Sequence, residues 1–425
     1  MSALPNQVNY SEPLLMLPEN TQNFLCAALP TNGSSFGPGS IAQVDLTTNR
    51  GFLDPASLYI RYKITTTSAS TTQTKIVGTP AYTFINKYVC YANSQTIETI
   101  SNYNTVANLL CNLQMNVADK VGQQYPLGYV NTTTSPVTNE ATDGRLCVAT
   151  SDTFYLSAPL YSLLGNSEKM IPLFLLQNMR LEFTFESLAN VSSNLSSDSG
   201  SIMTGYTISN FEVVYNVIDF GQEVQRQIVA ESNGKIRIKS SSYNTSIAPV
   251  ASGTSGNINL IYNLRYASIK SAFLNMGGTS TSLSANKNLD SIDITEQNGD
   301  YSLQIAGISY PQKPLSSSAN KAGIFSELRR AMGSVFGNNV SLSINSTEWV
   351  KVDGSSTTYD QPGKFWVGIN LQKLTIPCVS TQNSPITVII NSNDATAQLF
   401  NVMLIAVFDA IIDIDTETKQ VVIVS

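Results

Sequence analysis

The chain has 425 residues, of which 42% are apolar and 13% are charged, and its net charge is −6. This apolar content excludes a wholly disordered chain, and the length is sufficient for two or three domains that each bury a core. The first basic residue is Arg50. This excludes a lysine- and arginine-rich N-terminal arm that would neutralise nucleic-acid phosphates, so we expect no direct nucleic-acid binding.

The first half of the chain predicts an extended arm followed by a β-rich module. Residues 1–39 contain five prolines and little periodicity, which predicts an extended N-terminal arm. Over 57–66, Leu58, Ile60 and Tyr62 fall on one face, as in a half-buried antiparallel strand. Apolar residues recur at helical spacing over 102–116, which predicts one helix. The strands predicted in this first jelly roll, assigned to 40–220, are 41–48, 57–66, 82–92, 95–100, 153–157, the end of 171–185, and 206–218.

A polar segment separates this module from a second one. Residues 221–235 predict a linker with a short surface helix, because Val224 and Ile228 lie four residues apart. The second jelly roll is assigned to 236–425, with one helix over 322–332. The apolar stripe of that helix is Ile324, Phe325, Leu328 and Met332. The strands predicted here are 236–241, 257–263, 268–275, 291–295, 301–308, 340–344, 365–374, 386–390, 402–409 and 421–424.

These elements predict an all-β fold. We expect two consecutive eight-stranded antiparallel jelly-roll sandwiches, a double jelly roll, with a short helix inserted in each. Periodicity does not distinguish a jelly roll from another Greek-key sandwich. The long loops 119–143, 187–205, 277–287 and 353–363 are candidates for outer or subunit-contact loops, chosen by their length alone.

The sequence contains no histidine, which excludes Ser-His-Asp and Cys-His catalysis and every histidine metal site. Two groups of carboxylates remain as candidates for a cation or acid–base site, and we expect an acidic hairpin or a solvated surface for both. They are Asp413, Asp415 and Glu417, and Asp290, Asp293, Glu296 and Asp300. We therefore predict no catalytic, cofactor-binding or metal-binding residues and no cofactor.

Several other side chains could have either a structural role or a binding role. Arg329 and Arg330 could meet a partner carboxylate, although a solvated helix face is the simpler interpretation. Trp349 and Trp366 could stack on a sugar, but lone tryptophans are more often core or interface anchors. The five cysteines show no metal-binding spacing, and we expect reduced and mostly buried thiols. We also expect no secretory signal and no membrane-spanning segment.

Several stretches, in order along the chain, resemble the double jelly-roll major capsid proteins of icosahedral double-stranded DNA viruses, in the lineage of polinton-like viruses, virophages and nucleocytoplasmic large DNA viruses. The stretches are IAQVDLTTNRGFLDPASLYIRYKI (41–64), IPLFLLQNMRLEFTF (171–185), YSLQIAGISYPQKPL (301–315), FSELRRAMG (325–333), FWVGINLQKL (365–374), STQNSPITVII (380–390) and NVMLIAVFDAIIDID (401–415). Each stretch is weak alone, and the order of the set makes the resemblance specific.

The resemblance implies a structural protein and not an enzyme. Three copies would form a pseudo-hexagonal capsomer that tiles an icosahedral shell. The implied partners are a homotrimer, neighbouring capsomers, and penton and minor capsid proteins. The resemblance leaves open whether an internal membrane lies beneath the shell. The implied location is the virion, after synthesis and assembly inside the host cell.

Two alternatives use the same composition. The first is a carbohydrate-binding or adhesive β-sandwich protein, like a fibre or lectin, which would use exposed aromatic residues. The second is a β-sandwich hydrolase, which rests on the carboxylates alone because the chain lacks histidine.

Overall fold

The structure is a computed structural model. The residues it describes are 21–46, 50–68, 74–93, 95–115, 119, 122–129, 145–147, 151–176, 178–194, 203–278, 291, 293–295, 298–336, 349, 365–372, 378–394 and 399–425. Its helices are α1 (Pro80–Thr83), α2 (Tyr103–Gln114), α3 (Gln124–Leu127), α4 (Leu188–Val191), α5 (Gln222–Glu231) and α6 (Lys321–Phe336).

The strands occur in two runs on either side of α5. The first run is β1 (Gln22–Ala28), β2 (Ser35–Phe36), β3 (Ile41–Leu46), β4 (Phe52–Leu53), β5 (Tyr59–Ser68), β6 (Thr74–Ile76), β7 (Ile85–Ala92), β8 (Gln95–Ile100), β9 (Arg145–Cys147), β10 (Ser151–Pro159), β11 (Ile171–Pro172), β12 (Met179–Phe185), β13 (Ser192–Asn194) and β14 (Met203–Asp219). The second run is β15 (Lys235–Val250), β16 (Gly256–Tyr262), β17 (Ile269–Gly278), β18 (Gly299–Ile305), β19 (Ile308–Ser316), β20 (Val367–Asn370), β21 (Ile386–Ser392), β22 (Phe400–Asp415) and β23 (Val421–Val424).

The first run forms a sandwich of two antiparallel sheets. One sheet has the order β10-β5-β14-β4-β11, with β1 and β2 also paired to β14, and the other has the order β3-β12-β7-β8. Phe211 of β14 joins the two sheets, because its ring lies 5.7 Å from that of Tyr62 on β5 and 5.0 Å from that of Phe183 on β12. A small third sheet, β13-β6-β9, lies beside them.

The second run repeats this arrangement. One sheet has the order β15-β22-β17-β20, with β23 paired to β22, and the other has the order β16-β21-β18-β19. Helix α6 packs against β20 and β17, and its own residues Ile324, Leu328 and Met332 are buried. The predicted apolar stripe is therefore confirmed at these positions, while Phe325 is only partly buried. Two antiparallel sandwiches with an inserted helix in each confirm the predicted double jelly roll.

Several predicted elements differ from the structure. The strand predicted at 82–92 begins later than expected, because residues 82 and 83 belong to helix α1 and Phe84 caps its C-terminal end. Pro80 occupies the first turn of this helix, where a proline is tolerated. The segment 293–295 is a turn, since the Asp293 carboxylate accepts the Thr295 backbone N–H at 3.0 Å. The segment 310–314 lies in β19, an edge strand among the described residues, and such a strand tolerates its two prolines.

Part of the predicted N-terminal arm is a strand. Residues 22–28 form β1 and pair with β14 over an uninterrupted register from Gln22↔Asp219 to Ala28↔Val213. Residues 1–20 and the predicted strand 340–344 lie outside the described residues, as do most residues of the loops 119–143, 277–287 and 353–363. Within the described part of the chain, no helix has the length and apolar character needed to cross a bilayer.

Candidate assembly surfaces

The two sandwiches meet at a polar junction between β15 of the second and the β8 and 160–168 regions of the first. The Ser240 hydroxyl donates to the Leu163 carbonyl at 2.6 Å, and the Asn166 amide donates to the Ser241 carbonyl at 2.9 Å. Further along β15, the Thr245 hydroxyl donates to the carbonyl of Ser101, the residue that follows β8, at 3.0 Å. These contacts fix one sandwich on the other through several hydrogen bonds, which need matched geometry as well as contact area.

Glu98 of β8 lies at the centre of this junction. Its carboxylate oxygens both accept the Leu163 backbone N–H at 2.9 Å, and Oε1 also accepts the Ser242 hydroxyl of the other sandwich. The side chain is only 5% exposed. Burial raises the pKa of Glu98 to about 7, although the hydrogen bonds from Ser242 and Leu163 oppose this rise.

The first sandwich also presents an exposed edge strand, β1. Among the described residues, β1 pairs with β14 alone, contains no charged residue and has no bulge in its register. Its large side chains face solvent, and Leu25 is 69% exposed. Charges, prolines and bulges are the usual protection of a free strand edge. A strand without them suits pairing or packing with another chain.

A groove beside β1 extends this surface. It has a volume of about 580 Å³ and lies between Leu25 of β1, Tyr59 and Arg61 of β5, and Pro126 of α3. Arg61 of this groove forms an ion pair with Glu212 of β14 at 2.5 Å. Tyrosine and arginine are enriched in protein interfaces, so the wall and floor suit contact with a protein partner.

The structure separates the carboxylates that the sequence groups together. Asp413 pairs with Arg237 of the neighbouring strand at 3.2 Å. Asp415 accepts the backbone N–H groups of Glu417 and Thr418 at 3.0 and 2.7 Å, and the bond from Thr418 lowers its pKa. These carboxylates therefore shape a hairpin, as the simpler interpretation expects.

Only Asp293 and Asp300 of the second carboxylate group lie in the described part of the chain. Asp293 is buried and accepts the Tyr301 hydroxyl at 2.6 Å. Asp300 lies in β18, and Asp290 and Glu296 lie outside the described residues. No group of three metal-ligating side chains occurs in the part of the chain that the structure describes.

The tryptophans are core residues. Trp349 and Trp366 are buried, and the Trp349 indole donates to the Trp366 carbonyl at 3.1 Å. Neither is positioned to stack on a sugar, whereas the aromatic side chains of Phe24, Tyr125 and Tyr155 are exposed. Arg330 forms an ion pair with Glu327 on the surface of α6, and Arg329 is exposed, as expected for a solvated helix face.

The cysteines whose side chains are described carry free thiols. Cys90, Cys111 and Cys378 are buried and Cys26 is partly buried, which agrees with the prediction of mostly buried thiols at these positions. The junction and the β1 surface were not indicated by the sequence. The sequence features that could have pointed to them are the uncharged run QNFLCAA at 22–28 for the β1 surface and the three consecutive serines at 240–242 for the junction.

Comparison with known proteins gives matches in structure alone. No protein-family model matches the chain, and no curated protein does. The Faustovirus major capsid protein is similar over 92% of this chain and 90% of its own, with a TM-score of 0.62 and 8% identity. The mavirus major capsid protein is similar over 100% and 95%, with a TM-score of 0.54 and 10% identity. A chain of the PBCV-1 virus capsid is similar over 93% and 94%, with a TM-score of 0.58 and 13% identity. The whole chain therefore shares the fold of these viral proteins.

Proposed function

We propose that this chain is a major capsid protein that self-assembles into trimeric, pseudo-hexagonal capsomers of an icosahedral virion shell. The observation that carries the proposal is a double jelly roll shared over more than nine-tenths of the chain with major capsid proteins of Faustovirus and mavirus. The step from fold to function is an analogy. It is supported independently by the surfaces of this chain.

The arrangement of the two sandwiches suits a closed ring. Three chains supply six jelly rolls, and a cyclic trimer needs contacts between two different surfaces of each copy. The polar junction around Glu98 holds the two sandwiches of one chain together, so that they can act as one building block. The β1 surface, with Leu25 exposed and the groove beside it, is the surface that we assign to contact with a second copy.

The site chemistry supports a structural role without catalysis. The sequence has no histidine, and the described carboxylates Asp293, Asp413 and Asp415 are held by hydrogen bonds or an ion pair within the fold. We assign the chain to the virion capsid, after assembly inside the host cell. Its proposed partners are neighbouring capsomers, penton and minor capsid proteins, with an internal membrane possible beneath the shell. The proposed organisation is an arm at 1–39, jelly rolls at 40–220 and 236–425, and a linker at 221–235.

Solution mass tests the proposal directly. Light scattering on the purified chain across a dilution series should give a species near three times 46.0 kDa that persists on dilution. Electron microscopy of that species should show particles with a hexagonal outline. A monomer at every concentration, without such particles, would overturn the trimeric capsomer.

A further inference from the structure

The junction between the two sandwiches contains one buried carboxylate, that of Glu98. Glu98 on β8 receives the Ser242 hydroxyl from β15, so one carboxyl group connects the two sandwiches directly. Ile97, Glu98 and Ile100 of β8 are all buried here, and Glu98 and Ile100 lie opposite Cys90 and Tyr88 of β7. Any change in the charge of this group therefore acts on the contact between the two halves.

The groups that face Glu98 do not neutralise its charge. Its titratable neighbours are Tyr88 and Cys90 on β7, Tyr103 on α2 and Tyr243 on β15. Burial raises the pKa of each of these tyrosines and of the Cys90 thiol, so they stay uncharged between pH 5 and 8. Ser242 and Leu163 offer only neutral hydrogen-bond donors.

The three cations of β15 are engaged elsewhere. Arg237 is paired with Asp413, and Lys239 is paired with Glu168 at 3.2 Å, both at the surface. Lys235 lies opposite Asp415 in the register of β15 and β22 and interacts with its charge. Among the described residues, no cation lies within ion-pairing distance of Glu98. An ionised carboxylate that is buried without a counter-charge weakens the structure that encloses it.

We propose that Glu98 is a pH-operated latch between the two jelly rolls. In its protonated form it joins them, and its ionisation loosens the junction. The protonated carboxyl can donate to the Ser242 oxygen while its other oxygen still accepts the Leu163 N–H, so every polar group at the contact remains satisfied. The ionised form still accepts hydrogen bonds from Ser242 and Leu163, but it places an uncompensated negative charge between the sandwiches. This device belongs to the single chain and does not depend on the proposed capsomer.

The direction of the pH dependence follows from the raised pKa of Glu98. The folded chain holds this proton up to about pH 7, whereas an ordinary glutamate releases it near pH 4.5. The stabilisation is complete below the ordinary value, falls as the pH rises through this window, and stays low above pH 7. Between pH 5 and 8 the equilibrium constant for closing the junction should fall on the order of a hundredfold.

Hydrogen exchange of the full-length chain tests the latch. Backbone amides at 161–166 and 240–245 should lose protection, relative to those of β12 and β21, as the pH rises from 5 to 8 after correction for intrinsic exchange. In Glu98→Gln the neutral amide keeps both partners, and the relative protection should change less than threefold. Unchanged relative protection in the wild type, or an unchanged pH dependence in Glu98→Gln, would overturn the proposal.

A second variant keeps the test decisive if Glu98→Gln fails to fold. Ser242→Ala removes a donor that favours the charged carboxylate, so the pH midpoint of the protection loss should move upwards. A merely structural serine would lower protection at every pH and leave the midpoint unchanged, and that result would contradict the latch. Because the readout comes from one chain, it is independent of whether the chain forms trimers.

Discussion

At the scale of single residues, Gly368 shows how closely α6 lies against its sheet. A Cβ at this position would lie 2.8 Å from Leu328 Cδ1 and 3.1 Å from the Leu328 Cα. The second of these atoms is backbone and cannot rotate away. Gly368→Ala should therefore lower the free energy of unfolding by about 1–3 kcal/mol, the usual cost of overpacking a filled core. Urea denaturation followed by circular dichroism measures the change.

Gly37→Ala is the matched control. A Cβ at this position meets no atom within 4 Å, and Gly37 does not have a positive φ. Alanine should therefore leave the stability unchanged or raise it slightly, since it reduces the freedom of the unfolded chain. If Gly368→Ala were as stable as Gly37→Ala, α6 would not be fixed against β20 as the structure indicates.

The junction residues show where sequence reasoning stops. The alternation in 95–100 predicts a strand, and the structure confirms β8. A sequence pattern does not tell that the second sandwich lies against β8, the last strand of its sheet, and helps to bury Glu98 there. In the same way, the serines of 240–242 look like a solvent-facing strand, but all three are buried at the junction. Periodicity reports one buried face, whereas contacts between modules depend on how two finished sandwiches meet.

At the scale of elements, predictions hold best where one periodicity dominates. Helices α2 and α6 and strands β5 and β12 follow clear patterns and were predicted from them. Strand β1 is different, because its apolar residues neither alternate nor recur at helical spacing. Its pairing is decided by β14, which lies about 190 residues away in the sequence. Such long-range pairing is not encoded in the local pattern.

The exposed edge of β1 gives a prediction about assembly. Leu25→Lys places a charge at a side chain that is 69% exposed, so the free energy of unfolding of the single chain should change by less than about 0.5 kcal/mol. The trimer fraction should nevertheless fall, because the lysine would lose its hydration at a contact between copies. Sedimentation velocity measures the fraction of each species.

A control separates this effect from added charge alone. Gln227→Lys adds the same charge on α5, a helix without buried residues, and should leave the trimer fraction unchanged. If the trimer fraction of Leu25→Lys depended on protein concentration in the same way as that of the wild type, β1 would be excluded from the contact between copies. It would leave the double jelly-roll fold unaffected.

At the scale of the whole molecule, the connection between the two sandwiches is more than the covalent linker. Helix α5 contains no buried residue, whereas the junction has hydrogen bonds from both sandwiches and the buried Glu98. The hydrogen-bonded contact, and not the linker, should therefore set the relative position of the two halves. A chain cut in the linker should remain a single particle while that contact is closed.

A protease site inserted between Glu231 and Ser232 tests this at two pH values. After cleavage, the two fragments should co-elute on size exclusion at pH 5.5. The co-eluting material should have the same circular dichroism spectrum as the uncut chain. At pH 8 the wild-type fragments should separate more readily, because an ionised Glu98 weakens the junction, while fragments that carry Glu98→Gln should stay together. Separation of the wild-type fragments already at pH 5.5 would mean that the linker holds the halves together. Equal behaviour of wild-type and Glu98→Gln fragments at pH 8 would assign the pH response of the junction to another group.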